Sequence, residues 1–319
     1  MSTHTTSYDI DLVYLWVDGS DPVWMAKRDA CIGKPKEGSG ANCKGRFADN
    51  DELKYSLRSV ERYAPWIHRI YIVTDRQTPR WLDTSNPKIR IVDHTEILPL
   101  EARPCFNSGV LEHHLPNIPG LAEHFLFAND DMCLNGPVTP ATFYGEDGLP
   151  IIRFNFRPFR RLGLWIEKHI LGKTSREYRY RMRVQNAARL VKEKYGIYYG
   201  GKTHHNIDAY LKSGYRHAYE VFKEQIDATR TNHVRQVNDI QRNLYSYVAL
   251  AERRAHLTYV TRRTSFRLHI HKAKLYDTFK KYNPTFLCMN DSEQATDADR
   301  RRSAAFLAHL FPEKSHFEK

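Results

Sequence analysis

The stretch Asp9–Trp24, DIDLVYLWVDGSDPVW, decides the fold of this chain. It runs almost wholly apolar from Ile10 to Val17 and then breaks into Asp18-Gly19-Ser20-Asp21-Pro22. A buried strand that ends in a small, acidic, glycine-containing turn is how an open α/β sheet presents a ligand site, because the carboxyl ends of its strands open onto a crevice. A core strand followed by an ordinary surface turn would give the same bare pattern. The segments that follow decide between the two.

Working outward, residues 33–46 form a Gly/Lys-rich loop. Asp49, with Glu52 three residues on, is a capping box that starts a helix. Leu53, Leu57, Val60 and Ala64 give that helix an apolar stripe, and Pro65 ends it. Arg69–Thr74 is a β-branched strand running into Asp75, and Ile89–Val92 is a third strand ending at Asp93-His94. A helix is expected over Ser108–Leu115, then a fourth strand, His124–Ala128, stopping at Asn129-Asp130-Asp131. Alternating strands and helices predict an α/β fold with a mostly parallel, doubly wound, Rossmann-like sheet flanked by helices. Right-handed crossovers then bring Asp18, Asp75, Asp93 and the Asp130/Asp131 pair to one edge.

The texture changes after Pro150. Ile151–Phe156 is a further strand, and the region from Arg157 to Lys194 is strongly basic and helix-prone. This divides the chain into an α/β part over 1–156, a basic helical insertion over 157–199, and a C-terminal part over 200–319 that completes the same domain. The insertion, with Leu162, Leu164, Trp165, Ile166 and Ile170 on an apolar face, reads either as a solvated excursion or as a surface for an anionic acceptor or membrane. The net charge of +12 over 319 residues points to an acidic partner. No nucleic-acid-reading motif is present, so nucleic acid is not the expected one. The five cysteines (Cys31, Cys43, Cys105, Cys133, Cys288) lack CxxC spacing, which argues against a disulfide scaffold or a zinc site. With no signal-like N-terminus and no apolar run of membrane-spanning length, the expected location is cytoplasmic, with peripheral contact at the inner face of the plasma membrane.

Three further clusters carry chemistry. Adjacent carboxylates at a strand end, Asp130 and Asp131, suit Mg²⁺ or Mn²⁺, which take oxygen ligands and share them with substrate phosphates. In Gly200-Gly-Lys-Thr-His-His-Asn-Ile-Asp208, one of the two histidines is placed to face a site as ligand or general base. Arg235, four residues before Asp239 on an expected helix, is either half of a surface pair or a guanidinium clamp for phosphate oxygens. Phe286-Leu-Cys-Met-Asn-Asp291 repeats the apolar run ending in Asn-Asp and offers Asp291 as a further acid.

Together these segments resemble the Stealth family of sugar-1-phosphate transferases. The resemblance rests on Ile10–Pro22; on Asp51–Ser59, Tyr63–Trp66, Ile70–Thr74 and Asn129–Asp131; on His205–Asp208 with Val234–Asp239; and on Phe286–Asp291. It implies a GT-A-like fold and transfer of hexose-1-phosphate from a UDP-hexose or UDP-N-acetylhexosamine to a glycan hydroxyl of capsular or cell-surface polysaccharide, with release of nucleoside monophosphate. By the same resemblance, Trp16, Val17, Asp18, Gly19, Ser20, Arg58 and Asn129 hold the nucleotide sugar. Asp130, Asp131 and Asp291 hold Mg²⁺ or Mn²⁺. Arg235 stabilises phosphoryl charge, and His205 acts as base or nucleophile beside Asp131. Two departures stand out: Asp75-Arg76-Gln77 replaces the more usual Asn-Gly-Gln, and 157–194 carries no family motif. A conventional metal-dependent glycosyltransferase, releasing nucleoside diphosphate, is the alternative.

Overall fold

The computed structural model describes residues 7–33, 50–155, 166, 176–292 and 294–319. Its centre is strand β1 (Ile10–Leu15), buried along its whole length. β2 (Ile70–Thr74) and β4 (His124–Asn129) flank it in parallel, and β3 (Ile89–Asp93) lies parallel to β2. β8 (Asp208–Leu211) adds an antiparallel edge beside β4, giving the order β3-β2-β1-β4-β8. The expected mostly parallel α/β sheet is therefore present. Alternate residues feed two cores: Val13, Leu15, Val73 and Phe127 on one face, Leu12, Tyr14, Ile72 and Ala128 on the other. This period of two, with both faces covered, explains why the strands read as continuous apolar runs. The chain order reverses between β1 and β4, and a crevice opens at such a switch point.

After Asn129 the chain turns through Asp130-Asp131 and leaves this sheet. β5 (Met132–Leu134) pairs antiparallel with β11 (Phe286–Asn290), which pairs in parallel with β10 (Ser265–His269). A third small sheet joins β7 (Lys202–Thr203), β6 (Ile151–Asn155) and β9 (His256–Tyr259). The helix Glu52–Tyr63 supports the sheet change. Leu53, Leu57 and Val60 pack inward, while Ser56 donates to the Met132 carbonyl and Ser59 Oγ accepts the Leu134 amide at 3.0 Å. Two buried serines thus satisfy strand backbone that lacks a neighbouring strand on that side.

Three local expectations change. The helix begins at Glu52 behind Asp51, which has φ 63° and makes no side-chain cap. Glu52 instead accepts the Asn50 amide at 2.7 Å, and Asp49 lies outside the described residues. The segment from Val234 to Asp239 is not helical, so Arg235 and Asp239 are not stacked on one helix face. The basic insertion is no solvated excursion in its described part: the helix Arg176–Tyr195 buries Ala187, Ala188, Leu190 and Val191 in the main core. Leu162, Leu164, Trp165 and Ile170 lie outside the described residues. Among the described residues no helix is long and apolar enough to cross a membrane.

Arg58 is the clearest correction. Its guanidinium faces the C-terminal segment, bidentate to Glu318 at 2.8 and 2.7 Å and donating to the Phe311 carbonyl at 2.8 Å. It does not line the cavity at the strand ends. The pair pins a strap whose Phe317 is buried in the core. Arg58→Ala strands a nearly buried carboxylate and is expected to cost about 2 kcal/mol of stability. Urea unfolding measures the loss, and nucleotide affinity measured on the folded variant should stay unchanged.

Candidate active site

The carboxyl ends of β1 and β4 open onto a cavity of about 940 Å³. Its apolar and aromatic lining includes Trp16, Val17, Trp24 and Phe106, and His94 lines it too. Trp24 meets Phe106 edge to face at 5.3 Å. Burial pushes the His94 imidazole down to about 4, so it is neutral near pH 7.

The turn after β1 turns away from the cavity. Asp18 Oδ1 accepts the Ser20 amide at 2.8 Å and the Ser20 hydroxyl at 2.6 Å. Asp21 caps the helix Pro22–Ile32 through the Val23 and Trp24 amides. Trp16 and Val17 line the cavity; Asp18, Gly19 and Ser20 do not. Gln77 clamps the Asp18 peptide from both sides, accepting its amide and donating to its carbonyl, each at 2.9 Å.

The residues singled out in the sequence gather around the Asp130-Asp131 turn. Asn129, Asp130, Asp131, His205, Arg235 and Asp291 all line the cavity, so the structure brings together most of the residues singled out in the sequence. Asp131 and His205 converge with Cys288 of β11: one ligand-type atom from each lies within 4.8 Å of the other two. Cys288 donates its thiol to Asp131 Oδ2 at 3.2 Å, while Asp131 Oδ1 is buried without a hydrogen-bond partner. Burial pushes the Asp131 carboxyl up to about 6, against the opposing effects of the Cys288 thiol and Arg267. Asp291 is held otherwise, by Arg300 at 2.9 and 3.3 Å.

Both adjacent histidines line the cavity, where one was expected to. His204 is locked between Ser265 Oγ at 3.0 Å and the Ile207 carbonyl at 3.3 Å. His205 faces the cavity. Burial and the cations Arg267, Lys202 and Arg242 hold it well below the ordinary imidazole range, hence neutral. Their loop is not slack: a Cβ on Gly201 would meet the Phe154 ring at 2.6 Å, so only glycine permits this close approach.

Arg235 donates to Ser108 Oγ and lines the wall with Arg183, Lys202, Arg242 and Arg267. Arg242 is buried between Asp208 at 2.5 Å and Glu112 at 3.4 Å. Burial works against its charge, but Tyr210, Asp208 and Glu112 outweigh it and raise its pKa. The sequence reading missed Arg183, Arg242, Arg267 and Cys288. For Cys288 a signal existed: it sits mid-strand in the run already quoted for Asp291.

The protein is thus a Rossmann-like α/β fold with an acid and an imidazole close together at its strand ends and several arginines and lysines on the cavity wall. Residues 8–35 match Stealth protein CR1, conserved region 1, and residues 46–152 match Stealth protein CR2, conserved region 2. The chain belongs to the Stealth family. It is 35% identical over 330 residues to an exopolysaccharide phosphotransferase of Nocardia farcinica, covering 98% of this chain and 61% of that protein. It is 50% identical over 143 residues to the exopolysaccharide phosphotransferase cps2G of Lactiplantibacillus plantarum (45% of this chain, 41% of that one). It is 33% identical over 239 residues to the capsular polysaccharide phosphotransferase LcbA of Neisseria meningitidis (74% and 63%). The chain thus spans between 41% and 63% of the length of these relatives. Among solved structures, the galactosyltransferase LgtC, in complex with donor and acceptor sugar analogues, overlays with TM-score 0.47 and 13% identity, over 96% of this chain and 98% of that one.

The raised Asp131 carboxyl has a stability consequence. Its folded-state value of about 6 exceeds the ordinary 3.8, so its protonated form stabilises the fold at low pH. That contribution is complete below the unfolded value and is lost as pH rises through about 6. In metal-free buffer above pH ~6, Asp131→Asn should therefore exceed the parent protein in stability by on the order of 1–2 kcal/mol, allowing for screening at the cavity. Urea unfolding from acid to neutral pH checks this, and the difference should vanish at the acid end.

Proposed function

We propose that this protein transfers hexose-1-phosphate, or N-acetylhexosamine-1-phosphate, from a UDP-linked donor to a glycan hydroxyl and releases UMP. The observation that carries this reading is the meeting of Asp131 and neutral His205 in a cavity walled by arginines and lysine. The names of the relatives, capsular and exopolysaccharide phosphotransferases, support it. The lining by Trp16, Trp24, Phe106 and neutral His94 suits a nucleobase. The cations suit a diphosphate.

In this reading the acceptor hydroxyl attacks the sugar-bearing phosphorus. A new P–O bond forms, the bridging P–O bond breaks, and the monophosphate leaves with the bridging oxygen. His205 takes the hydroxyl proton; its depressed basicity rises once diphosphate charge offsets Arg267, Lys202 and Arg242. Arg235, oriented by Ser108, stabilises charge on the transferring group. Arg242 is held by Asp208 and Glu112 and acts as fixed positive charge beneath it.

The unpartnered oxygen of Asp131 and the neighbouring Asp130 fit a divalent cation such as Mg²⁺ or Mn²⁺. When bound, that ion would neutralise diphosphate charge. Asp291 is less available, since Arg300 already neutralises it. The exposed Lys192 and Lys194 are described basic residues that could meet an anionic membrane surface.

Incubation with a UDP-sugar, a divalent cation and glycan acceptor should release UMP. His205→Ala should reduce that release by about 10²–10⁴-fold, and Arg235→Ala by about 10²–10³-fold. Release of UDP instead would replace this reading with conventional glycosyl transfer.

A further inference from the structure

We propose that Asp131, His205 and Cys288 form a binding site for a zinc-class cation, distinct in preference from the Mg²⁺-type ion considered above. The three donors come from separate elements: the turn after β4, the loop after β7 and the middle of β11. They offer a carboxylate oxygen, an imidazole nitrogen and a thiol sulfur, all within 4.8 Å of one another. Magnesium takes oxygen ligands and keeps water. A mixed O/N/S set suits Zn²⁺ or its analogue Co²⁺, and three protein ligands leave the fourth tetrahedral position open. Small side-chain rotations must draw the donors in to bonding distance.

Two contacts point to such an ion. Asp131 Oδ1 is buried without a hydrogen-bond partner. Asp131 Oδ2 already shares a proton with Cys288, so the two groups face one another. Binding exchanges that proton for the cation: the S–H bond breaks, a sulfur–metal bond forms, and one proton leaves to solvent without any redox change. The thiol sits deep enough that burial raises its pKa well above the ordinary thiol value, and direct ligation supplies the opposing drive. Asp131 and His205 line the cavity, which gives the ion its entry. The site is assembled by convergence across three elements, and cysteine spacing in the sequence carries no trace of it. An ion held this way occupies His205; its interference with proton transfer rests on the transferase reading, whereas the binding does not.

The test titrates the whole protein, stripped with a chelator, with Co²⁺ and then Zn²⁺. Expected are a near-ultraviolet thiolate-to-cobalt charge-transfer band and intense visible bands of tetrahedral Co²⁺. Zn²⁺ should abolish both at one equivalent, and a large excess of Mg²⁺ should leave them intact. Cys288→Ser should remove the charge-transfer band and weaken Zn²⁺ binding by more than about 10-fold, the least seen even when only an outer-shell partner is lost. His205→Gln should weaken Zn²⁺ binding comparably and serves as the second variant if Cys288→Ser fails to fold by circular dichroism. Absence of the band, or a band that survives in Cys288→Ser, would overturn the assignment. A protein that releases no UMP yet shows the Cys288-dependent band would refute the transferase reading alone.

Discussion

The carboxylate of Asp131 sits where the chain leaves one sheet for another, and most of the site's arrangement follows from the need to compensate it. β4 delivers it to the end of the parallel sheet, and β5 carries the chain on into the antiparallel pairing with β11. A desolvated carboxylate is costly unless it is paired, hydrogen-bonded or protonated. Here one oxygen has the Cys288 thiol and the other has no hydrogen-bond partner among the described residues. The fold accepts this because the surrounding elements are fixed by other contacts: Ser56 and Ser59 hold β5, and the Asp131 carbonyl takes the Met289 amide at 2.8 Å. A residue kept under-satisfied by a rigid scaffold is one prepared for a ligand, and the scaffold's stability bears the cost.

The cationic wall poses the opposite problem. Arg183, Arg235 and Arg242 all act on Glu112, and their mutual repulsion needs an internal counter-charge. Glu112 contributes to it: burial raises its pKa, all three guanidiniums oppose that rise, and Ser108 links it to Arg235. Asp208 and Asp239 add further negative charge, at 2.5 Å from Arg242 and 4.0 Å from Arg183. Acids packed among the guanidiniums keep them oriented before any anion arrives, so little reorganisation accompanies binding. Glu112 and Asp239 line the cavity together with the guanidiniums they neutralise, whereas Asp208 does not.

Much of this was legible in the sequence, and the exceptions share a cause. Strand and helix order follow from period, and Asp130-Asp131 announces itself by its place after an apolar run. Arg58 did not: helical spacing shows that Leu53, Leu57 and Val60 face the core, but not which distant segment covers the flank, and Glu318 lies 260 residues away. Arg235 and Asp239 have helical spacing in a segment that forms no helix, because Asp239 is engaged by Asn107, Asn232 and the Gln236 amide. Cys288 was passed over for the polar residue at the strand's end. Strand register decides which residue meets Asp131, and pairing Cys288 with Met132 is a non-local fact.

The Asp75-Arg76-Gln77 departure is resolved by the same distinction between side chain and backbone. Arg76 has φ 58°, a left-handed conformation that glycine adopts freely and arginine adopts at a cost of about 1 kcal/mol. The conformation persists because Asp93 accepts the Arg76 amide at 2.7 Å and because Gln77 is engaged at both ends with the Asp18 peptide. Asp75 pairs with Lys27 on the neighbouring helix. The turn that braces the β1 exit therefore depends on Gln77, the residue of the three that has not changed. Replacing glycine with arginine preserves the path of the chain and adds an exposed cation. The strand exit that first drew attention thus acts as a rigid frame: it positions Trp16 and Val17 on the cavity wall while its acids are spent on holding the turn together.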